Sequence, residues 1–126
     1  MRILVCGSRH WKNYTLINNF LATLPKDTIL VSGGAPGADT MAEIAARENG
    51  LEIEVYPALW HIHKKGAGPI RNKQMLDEGR PDRVFGFHSN IAKSKGTKNM
   101  IMQAEKAGVP TVVIDYRGHY NMSLWD

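Results

Sequence analysis

Seven residues of this chain have the composition of a loop that holds an anion. Residues 33–39 read Gly-Gly-Ala-Pro-Gly-Ala-Asp, between an apolar, strand-like run and a helical pattern. A glycine-rich turn at such a junction lets the backbone approach a ligand closely and aims unpaired helix N–H groups at it. That arrangement favours a phosphate or a carboxylate. The segment has neither the Gly-Lys-Ser/Thr of a Walker A loop nor the spacing of a Gly-x-Gly-x-x-Gly fingerprint, so it indicates an anion and no particular ligand.

A longer polar segment, residues 57–73, carries further binding chemistry. Loops beyond about 12 residues in compact domains tend to be functional. Pro69 fits the first turn of a helix, which places Arg71 and Asn72 in that turn. Arginine offers a rigid fork to phosphate or carboxylate, and asparagine can pair with a base, a sugar or a backbone amide. An ion pair with a neighbouring carboxylate is the competing role for Arg71.

Three other side chains of this segment have less specific roles. His61 and His63 stand two residues apart, but two histidines without a nearby cysteine or carboxylate make a poor set of metal ligands. We therefore expect no metal site. Trp60 is equally consistent with a platform for stacking and with packing of the loop itself.

The elements that position these residues alternate along the chain. Short β-rich runs occupy residues 3–5, 29–31, 53–56, 84–87 and 111–114, with patterns of helical periodicity between them. Pro25, Gly50, Gly79 and Gly108 follow the helical patterns as stop signals. Five strands alternating with four helices predict a single α/β domain, a Rossmann-like, doubly wound parallel sheet with helices on both faces.

In such a fold the ligand binds outside the carboxyl ends of the strands, where residues 7–12, 33–39, 57–73 and 89–98 would lie. These 40 residues hold nine of the sixteen Lys and Arg residues but only one of the twelve acids, Asp39. Their net charge is +8, and that of the other 86 residues is −4. A basic edge on an acidic body attracts anionic ligands.

The composition limits the class of protein. A chain of 126 residues suffices for one domain with one core, and 43% hydrophobic and 22% charged residues are ordinary for a soluble protein. No apolar run approaches the ~20 residues that span a bilayer, and the one at the N-terminus is too short for a signal peptide. The single cysteine, Cys6, is predicted to be a small buried hydrophobe. We expect a cytoplasmic protein with no membrane partner.

Four motifs at consecutive strand–helix junctions carry a resemblance to a known family. They are Gly7-Ser8-Arg9, residues 33–39, Gly68-Pro69-Ile70-Arg71-Asn72 and Gly96-Thr97-Lys98-Asn99-Met100. Over residues 1 to about 115, the chain resembles the small YspA/YpsA-related group of the SLOG superfamily. That superfamily also includes the LOG phosphoribohydrolases, the molybdenum cofactor carrier proteins and the DprA DNA-processing domain. The resemblance implies a Rossmann-like fold that binds a nucleotide or nucleotide-derived ligand and, in some members, cleaves an N-glycosidic bond.

One departure from the LOG enzymes bears on catalysis. Their pattern is Pro-Gly-Gly-x-Gly-Thr-x-x-Glu, and here Met100 stands at the glutamate position, and Lys93-Ser94-Lys95 before Gly96 contain neither proline nor glycine. An oxocarbenium-like transition state needs a carboxylate near the anomeric carbon, and Met100 cannot supply one. Hydrolysis would have to use Asp39. The competing roles of Asp39 are to cap the second helix and to bind a ligand hydroxyl.

The sequence therefore predicts a module that binds a nucleotide or a nucleotide-derived, phosphate-containing ligand as a sensor, carrier or sequestering protein, with no required cofactor. The predicted ligand-binding residues are Gly7, Ser8, Arg9, Gly33, Gly34, Gly37, Asp39, Arg71, Asn72, Gly96 and Thr97. The glycines of residues 33–37, Gly96 and Thr97 would cradle phosphate, and Ser8, Arg9 and Arg71 would add donors. Asp39 and Asn72 would hold ribose hydroxyls or the base. The first alternative is a nucleotide phosphoribohydrolase that uses Asp39 and Arg71.

A DprA-like nucleic-acid binder is the second alternative, suggested by an isoelectric point near 9.3. Single-strand binders interleave aromatic with basic residues, whereas only Trp11 and Trp60 lie in the basic connections. We therefore expect no nucleic-acid partner. Because SLOG relatives often form dimers or larger assemblies, the resemblance implies a homo-oligomer. Residues 117–126 are predicted to extend a domain of residues 1–116, and Tyr120, Leu124 and Trp125 indicate that this extension packs on its own domain or on a partner.

Overall fold

Strands and helices alternate along the chain in the computed structural model, which describes residues 1–122. The strands are β1 (Arg2–Gly7), β2 (Ile29–Ser32), β3 (Glu52–Val55), β4 (Arg83–Phe87), β5 (Thr111–Ile114) and β6 (Tyr120–Met122). The helices are α1 (Tyr14–Ala22), α2 (Ala38–Glu48), α3 (Trp60–His63), α4 (Ala67–Asp77) and α5 (Gly96–Lys106), with 3₁₀ turns at Lys64–Gly66 and Ile91–Lys93. Within these residues, none of the helices is long and apolar enough to cross a bilayer.

The strands form one sheet in the order β3-β2-β1-β4-β5-β6, in which the first five are parallel. The chain moves outward from β1 to β3, crosses to β4 on the other side of β1, and moves outward again. This is the order of a Rossmann-like sheet, and its switch point lies between β1 and β4. The predicted α/β class and doubly wound sheet are confirmed. The structure adds β6, which pairs with β5 as an antiparallel strand.

Helices cover both faces of the sheet, and each strand contributes to both cores because its side chains point alternately to opposite sides. Ile3 and Val5 of β1 belong to a core cluster shared with α1 and α2. Leu4 and Cys6 belong to the cluster on the other face, shared with α4 and α5. The predicted role of Cys6 is confirmed, since its thiol is buried and unpaired. The sheet is thus a rigid platform that fixes where each connection begins.

The connection between β3 and β4 differs from its prediction in two ways. It contains the single-turn helix α3, which is too short to leave a periodic pattern. In addition, α4 begins at Ala67, so Pro69 does lie in the first turn, but Arg71 and Asn72 lie in the second. Proline is tolerated at position 69 because the first N–H groups of a helix have no partner within it.

The chain beyond β5 turns back on itself. The Asp115 carboxylate accepts hydrogen bonds from the N–H groups of Arg117 and His119, each at 2.9 Å, and this turn leads into β6. Tyr120 pairs with Ile114 in the ladder, and its side chain is exposed. Residues 120–122 therefore extend the sheet, whereas Leu124 and Trp125 lie outside the described residues. The division at residue 116 stays a prediction.

Gly37 marks the point where two connections cross. Its φ is +81°, and a Cβ atom there would meet the Ser8 carbonyl oxygen and lie 2.5 Å from the Arg9 carbonyl carbon. Glycine is thus required both by the backbone angle and by the approach of the residues that follow β1. The start of α2 can lie against this connection only because position 37 has no side chain.

Gly37→Ala is expected to destabilise the fold by about 2–4 kcal/mol, as the sum of left-handed strain and overpacking. Gly50→Ala is the matched control, because Gly50 has a similar φ of +74° but no atom within 4 Å of its would-be Cβ. The control should lose only about 1–2 kcal/mol from backbone strain. Urea denaturation measures both free energies of unfolding. Equal losses would show that the crossing tolerates a side chain.

Candidate functional site

The connections that follow β1, β2 and β4 meet at the carboxyl edge of the sheet. The Ser8 N–H donates to the Phe87 carbonyl at 2.9 Å, which joins the end of β1 to the end of β4. The Ser8 carbonyl accepts hydrogen bonds from Trp11 N–H at 3.2 Å and Ala38 N–H at 3.0 Å. Ser8 thus ties the first connection to the start of α2 at the switch point, where an α/β sheet binds its ligand.

The glycine turn after β2 is closed from inside by polar side chains. The Gly34 N–H donates to Ser32 Oγ at 3.3 Å, and the Ala35 N–H donates to Asp39 Oδ2 at 3.2 Å. The Asp39 carboxylate is buried, and it also accepts a hydrogen bond from the Gly33 N–H. No side chain caps the N-terminus of α2, whose N-cap is Gly37. Asp39 therefore folds back onto the turn and does not serve as the side-chain cap that was one predicted role.

The Arg71 guanidinium is fixed by two hydrogen bonds. Its Nη1 donates to the Gly33 carbonyl at 2.6 Å, and its Nε donates to Asn72 Oδ1 at 3.1 Å. A Cβ on Gly33 would collide with the guanidinium and stand 3.0 Å from Asp39 Oδ2. Within residues 1–122, no carboxylate oxygen forms a salt bridge with Arg71. The competing role predicted for Arg71, an ion pair, is thus not made as a direct contact within these residues, although the Arg71 charge lowers the pKa of the nearby Asp39 carboxyl.

Asn72 connects Arg71 to α5. Its side chain is buried, and its Nδ2 donates to the Gly96 carbonyl at 3.3 Å and to Asn99 Oδ1 at 3.0 Å. Gln103 Nε2 donates to the same Asn99 oxygen at 2.7 Å. Because the Asn72 oxygen already accepts from Arg71, every polar atom of this side chain is engaged within the protein. The structure thus gives Asn72 a positioning role.

The start of α5 forms the last wall of the site. Gly96 is exposed at the edge, whereas Thr97 is buried and its N–H donates to Ser94 Oγ at 3.0 Å. Met100 is 0% exposed and packs in the core beside Leu4 and Val31. The position that carries the catalytic glutamate in the LOG pattern therefore faces the hydrophobic core, where an ionised carboxylate would be costly.

Comparison with known proteins is consistent with this geometry. A model of the YspA, cpYpsA-related SLOG family matches residues 1–63. The chain belongs to this SLOG family. Gene 61 protein of Mycobacterium phage D29 is 36% identical to it over an alignment of 120 positions, which covers 88% of this chain and 94% of that protein. The predicted family membership is confirmed.

A solved structure shows the same fold for this SLOG chain. DNA processing protein A (DprA) from Streptococcus pneumoniae superposes with a TM-score of 0.72 at 18% sequence identity, covering 90% of this chain. The SLOG chain spans about half of that protein, 49% of its length. At this identity the likeness establishes the fold alone.

Burial shifts the titration of the site. It raises the pKa of Asp39 to about 6, an effect only partly offset by the Ala35 N–H and the Arg71 charge. Glu43, one helical turn further along α2, raises it further. Burial likewise raises the pKa of the Cys6 thiol above its usual range, so Cys6 stays protonated and unreactive.

Sequence reasoning missed two polar residues at this edge. Ser32 ends β2 and donates its hydroxyl to Glu43 Oε2 at 2.6 Å. His88 follows β4 directly, and its Nδ1 accepts the Asn90 N–H at 2.9 Å, which leaves the ring proton on Nε2 in the neutral form. Burial lowers the pKa of His88. Their signal in the sequence is a polar residue at the carboxyl end of a buried strand.

The two tryptophans of the basic connections have different environments. Trp11 is 2% exposed, donates from Nε1 to the Asn13 carbonyl at 3.0 Å and packs edge-on against Phe87. Trp60 is 58% exposed. Trp11 is therefore part of the core, and Trp60 alone of this pair can meet a ligand. In residues 1–122, His61 and His63 join no group of three or more residues that could hold a metal.

The Asp39→Asn substitution should change how stability depends on pH. Because the pKa of Asp39 is raised to about 6, the folded state keeps a proton that the unfolded state loses near pH 4. Wild-type stability therefore carries a contribution that is complete below about pH 4 and lost as the pH rises to about 6. The asparagine side chain of the variant keeps an oxygen for the Ala35 N–H but does not titrate.

The variant should thus gain up to about 3 kcal/mol over wild type between pH 4 and 6, and the difference should stay constant above. Urea denaturation at each pH measures it. Asp27→Asn, at an exposed position before β2, is the control for loss of one charge. A difference between Asp39→Asn and wild type that does not vary with pH would show that burial does not shift this carboxyl.

Proposed function

We propose that this SLOG protein binds a nucleotide or nucleotide-derived ligand through its phosphate at the carboxyl edge of the sheet, as a sensor, carrier or sequestering protein. The main support for this proposal is that the Arg71 guanidinium is held in place by two hydrogen bonds. Its Nη1 donates to the Gly33 carbonyl, and its Nε donates to Asn72. A donor group fixed before the ligand arrives loses little entropy on binding, and a planar fork suits phosphate oxygens.

The charge around Arg71 supports an anionic ligand. The other eight basic residues of the four connections all have exposed side chains, namely Arg9, Lys12, Lys64, Lys65, Lys73, Lys93, Lys95 and Lys98. The one acid, Asp39, is buried beneath the glycine turn and is already engaged by backbone N–H groups. The accessible face of the site is therefore basic, which speeds the capture of an anion.

We assign the phosphate to the space between Arg71 and the start of α5. The N–H groups of Gly34 and Ala35 already donate to Ser32 and Asp39, so the glycine turn shapes the wall more than it donates to a ligand. The first turn of α5 begins at exposed Gly96, holds no acid and adjoins Asn72. A helix N-terminus beside an arginine suits a phosphate.

The remaining predicted residues receive roles within this proposal. Ser8 and Gly37 hold the first connection against α2 through their backbone. Arg9 is exposed on that connection and would add a donor from the opposite wall. Asn72 would orient Arg71 rather than touch the ligand, and Asp39 would set the local charge. The homo-oligomer and the cytoplasmic location stay predictions.

One observation favours a second candidate, cleavage of the N-glycosidic bond. A carboxyl with its pKa raised to about 6 is suited to proton transfer near neutral pH, and Asp39 has that property. Incubation with AMP, GMP, CMP and UMP followed by chromatography for free base decides between the two. Binding without release of base identifies a binding protein; release that Asp39→Asn abolishes identifies a hydrolase.

Arg71→Ala should abolish the thermal shift that a bound nucleotide produces. A ligand at 100 times its dissociation constant stabilises the wild type by about 2.7 kcal/mol. Loss of two charge-assisted hydrogen bonds, each worth about 1.5–3 kcal/mol, weakens binding by about 100-fold or more, which leaves at most about 0.4 kcal/mol of that stabilisation. Because Arg71 also fastens Gly33, the shift of each variant is measured against its own unliganded state.

Arg83→Ala is the matched control, since this exposed arginine begins β4 at the opposite edge of the sheet. It removes the same charge and should leave the shift intact. Arg71→Lys, which keeps the charge but not the fork, should give a reduced shift. An undiminished shift in Arg71→Ala would remove Arg71 from the site, and a wild type stabilised by no nucleotide would contradict the proposed function.

A further inference from the structure

Exposed apolar side chains are concentrated in the stretch of chain that leads from β3 into α4, here called the apolar patch. Ten large hydrophobic side chains are exposed in the part of the chain that the structure describes, and half of them lie within residues 55–70. They are Val55, Leu59, Trp60, Ile62 and Ile70. A concentration of apolar surface beside polar residues marks a place where something binds.

Trp60 is the member of this patch that adjoins the proposed phosphate site. Its ring atom Cη2 lies 3.7 Å from the position that a Cβ on Gly68 would take, so one edge of the indole approaches α4. The side chain is nevertheless 58% exposed. Gly68 and Arg71 are three residues apart on α4 and therefore neighbours on one side of the helix. The edge of the indole thus lies beside α4 about one helical turn before the position of Arg71.

We propose that Trp60 stacks on the aromatic base of the ligand whose phosphate Arg71 binds; this inference rests on the proposed function. Positions one helical turn apart differ by about 5 Å along the helix axis, so side chains on them can reach the base and the phosphate of one nucleotide across its ribose. The segment 57–73 holds no acid and carries Lys64 and Lys65, so a phosphate can approach the indole without repulsion. Trp60 and Arg71 together thus suit a ligand with a flat, apolar ring at one end and an anion at the other.

Stacking determines what kind of selectivity Trp60 provides. Every base has a π-face, so stacking tolerates different bases, and it contributes about 10- to 100-fold in affinity per base. Trp60 would therefore distinguish a nucleotide from a bare sugar phosphate without choosing the base. The choice of base is left to polar groups elsewhere at the edge.

The test compares two probes on four full-length proteins. The probes are ribose 5-phosphate and whichever of AMP, GMP, CMP and UMP the wild type binds most tightly. The proteins are wild type, Trp60→Ala, Trp60→Phe and Met102→Ala. Met102 is the control because it is similarly exposed, 59%, but lies on α5, outside residues 55–70. Isothermal titration calorimetry gives the dissociation constants, and gel filtration gives the oligomeric state of each variant.

Trp60→Ala should weaken the nucleotide about 10- to 100-fold and leave ribose 5-phosphate unchanged. Trp60→Phe keeps a ring and should lose less than about fivefold, and Met102→Ala should match wild type. In addition, the bound base should quench tryptophan emission in wild type, and this quenching should disappear in Trp60→Phe.

Three results would overturn the inference while the proposed function stands. The first is an unchanged affinity of Trp60→Ala for the nucleotide. The second is an equal loss of affinity for both probes, which would mean that Trp60 only supports the loop. The third is an unchanged affinity together with a changed oligomeric state, which would assign the patch to contacts between copies. A wild type that binds neither probe would overturn the proposed function and this inference with it.

Discussion

One hydrogen bond, from Arg71 Nη1 to the Gly33 carbonyl, holds the two halves of the site together. It joins residues that lie 38 positions apart, on the turn after β2 and on α4. The bond exists because Gly33 has no side chain, since a Cβ there would occupy the space of the guanidinium. Asp39 beneath the same glycine and Asn72 beside Arg71 complete the arrangement. The glycine turn was predicted to cradle phosphate, and in the structure it holds the Arg71 side chain in position.

The cost of this arrangement is a buried carboxyl. Asp39 satisfies N–H groups of the turn that would otherwise lack partners, but its own ionised form is poorly solvated. The nearby guanidinium compensates only in part. Such a trade is common where a site needs a fixed shape and a defined charge, because the surrounding fold is stable enough to hold an unfavourable group. Here the sheet and its two buried clusters provide that stability.

The fold was predictable from the sequence because its signals are local. Strand runs such as residues 29–31 and the helical period around Met100 and Ala104 each depend on neighbours within a few positions. Right-handed crossovers then leave few ways to assemble a parallel sheet. The strand β6 was missed because its three residues, Tyr-Asn-Met, are too few to show the alternation of apolar and polar side chains that predicts a strand. The helix α3 was missed for the same reason of length.

The sequence predicted which residues belong to the candidate site but not what each of them does there. Glycines, a lone acid and Arg71 are visible at the predicted strand ends, and the structure brings Gly33, Asp39 and Arg71 together. What each one does depends on partners far away in the chain, such as Gly96 for Asn72 or Phe87 for Ser8. No pattern in a single sequence encodes these long-range hydrogen bonds. His88 and Ser32 were overlooked because a single polar residue after an apolar run resembles an ordinary strand end.

The side-chain amides that link α4 to α5 each have a fixed donor and acceptor end. Asn72 accepts from Arg71 through its oxygen and donates through its nitrogen, and Asn99 Oδ1 receives both the Asn72 and the Gln103 amides. An aspartate at position 72 would fill the same volume and still accept from Arg71, yet it would set oxygen against the oxygens of Gly96 and Asn99. The contact between α4 and α5 therefore depends on one NH2 group of one side chain, and not on the volume of that side chain.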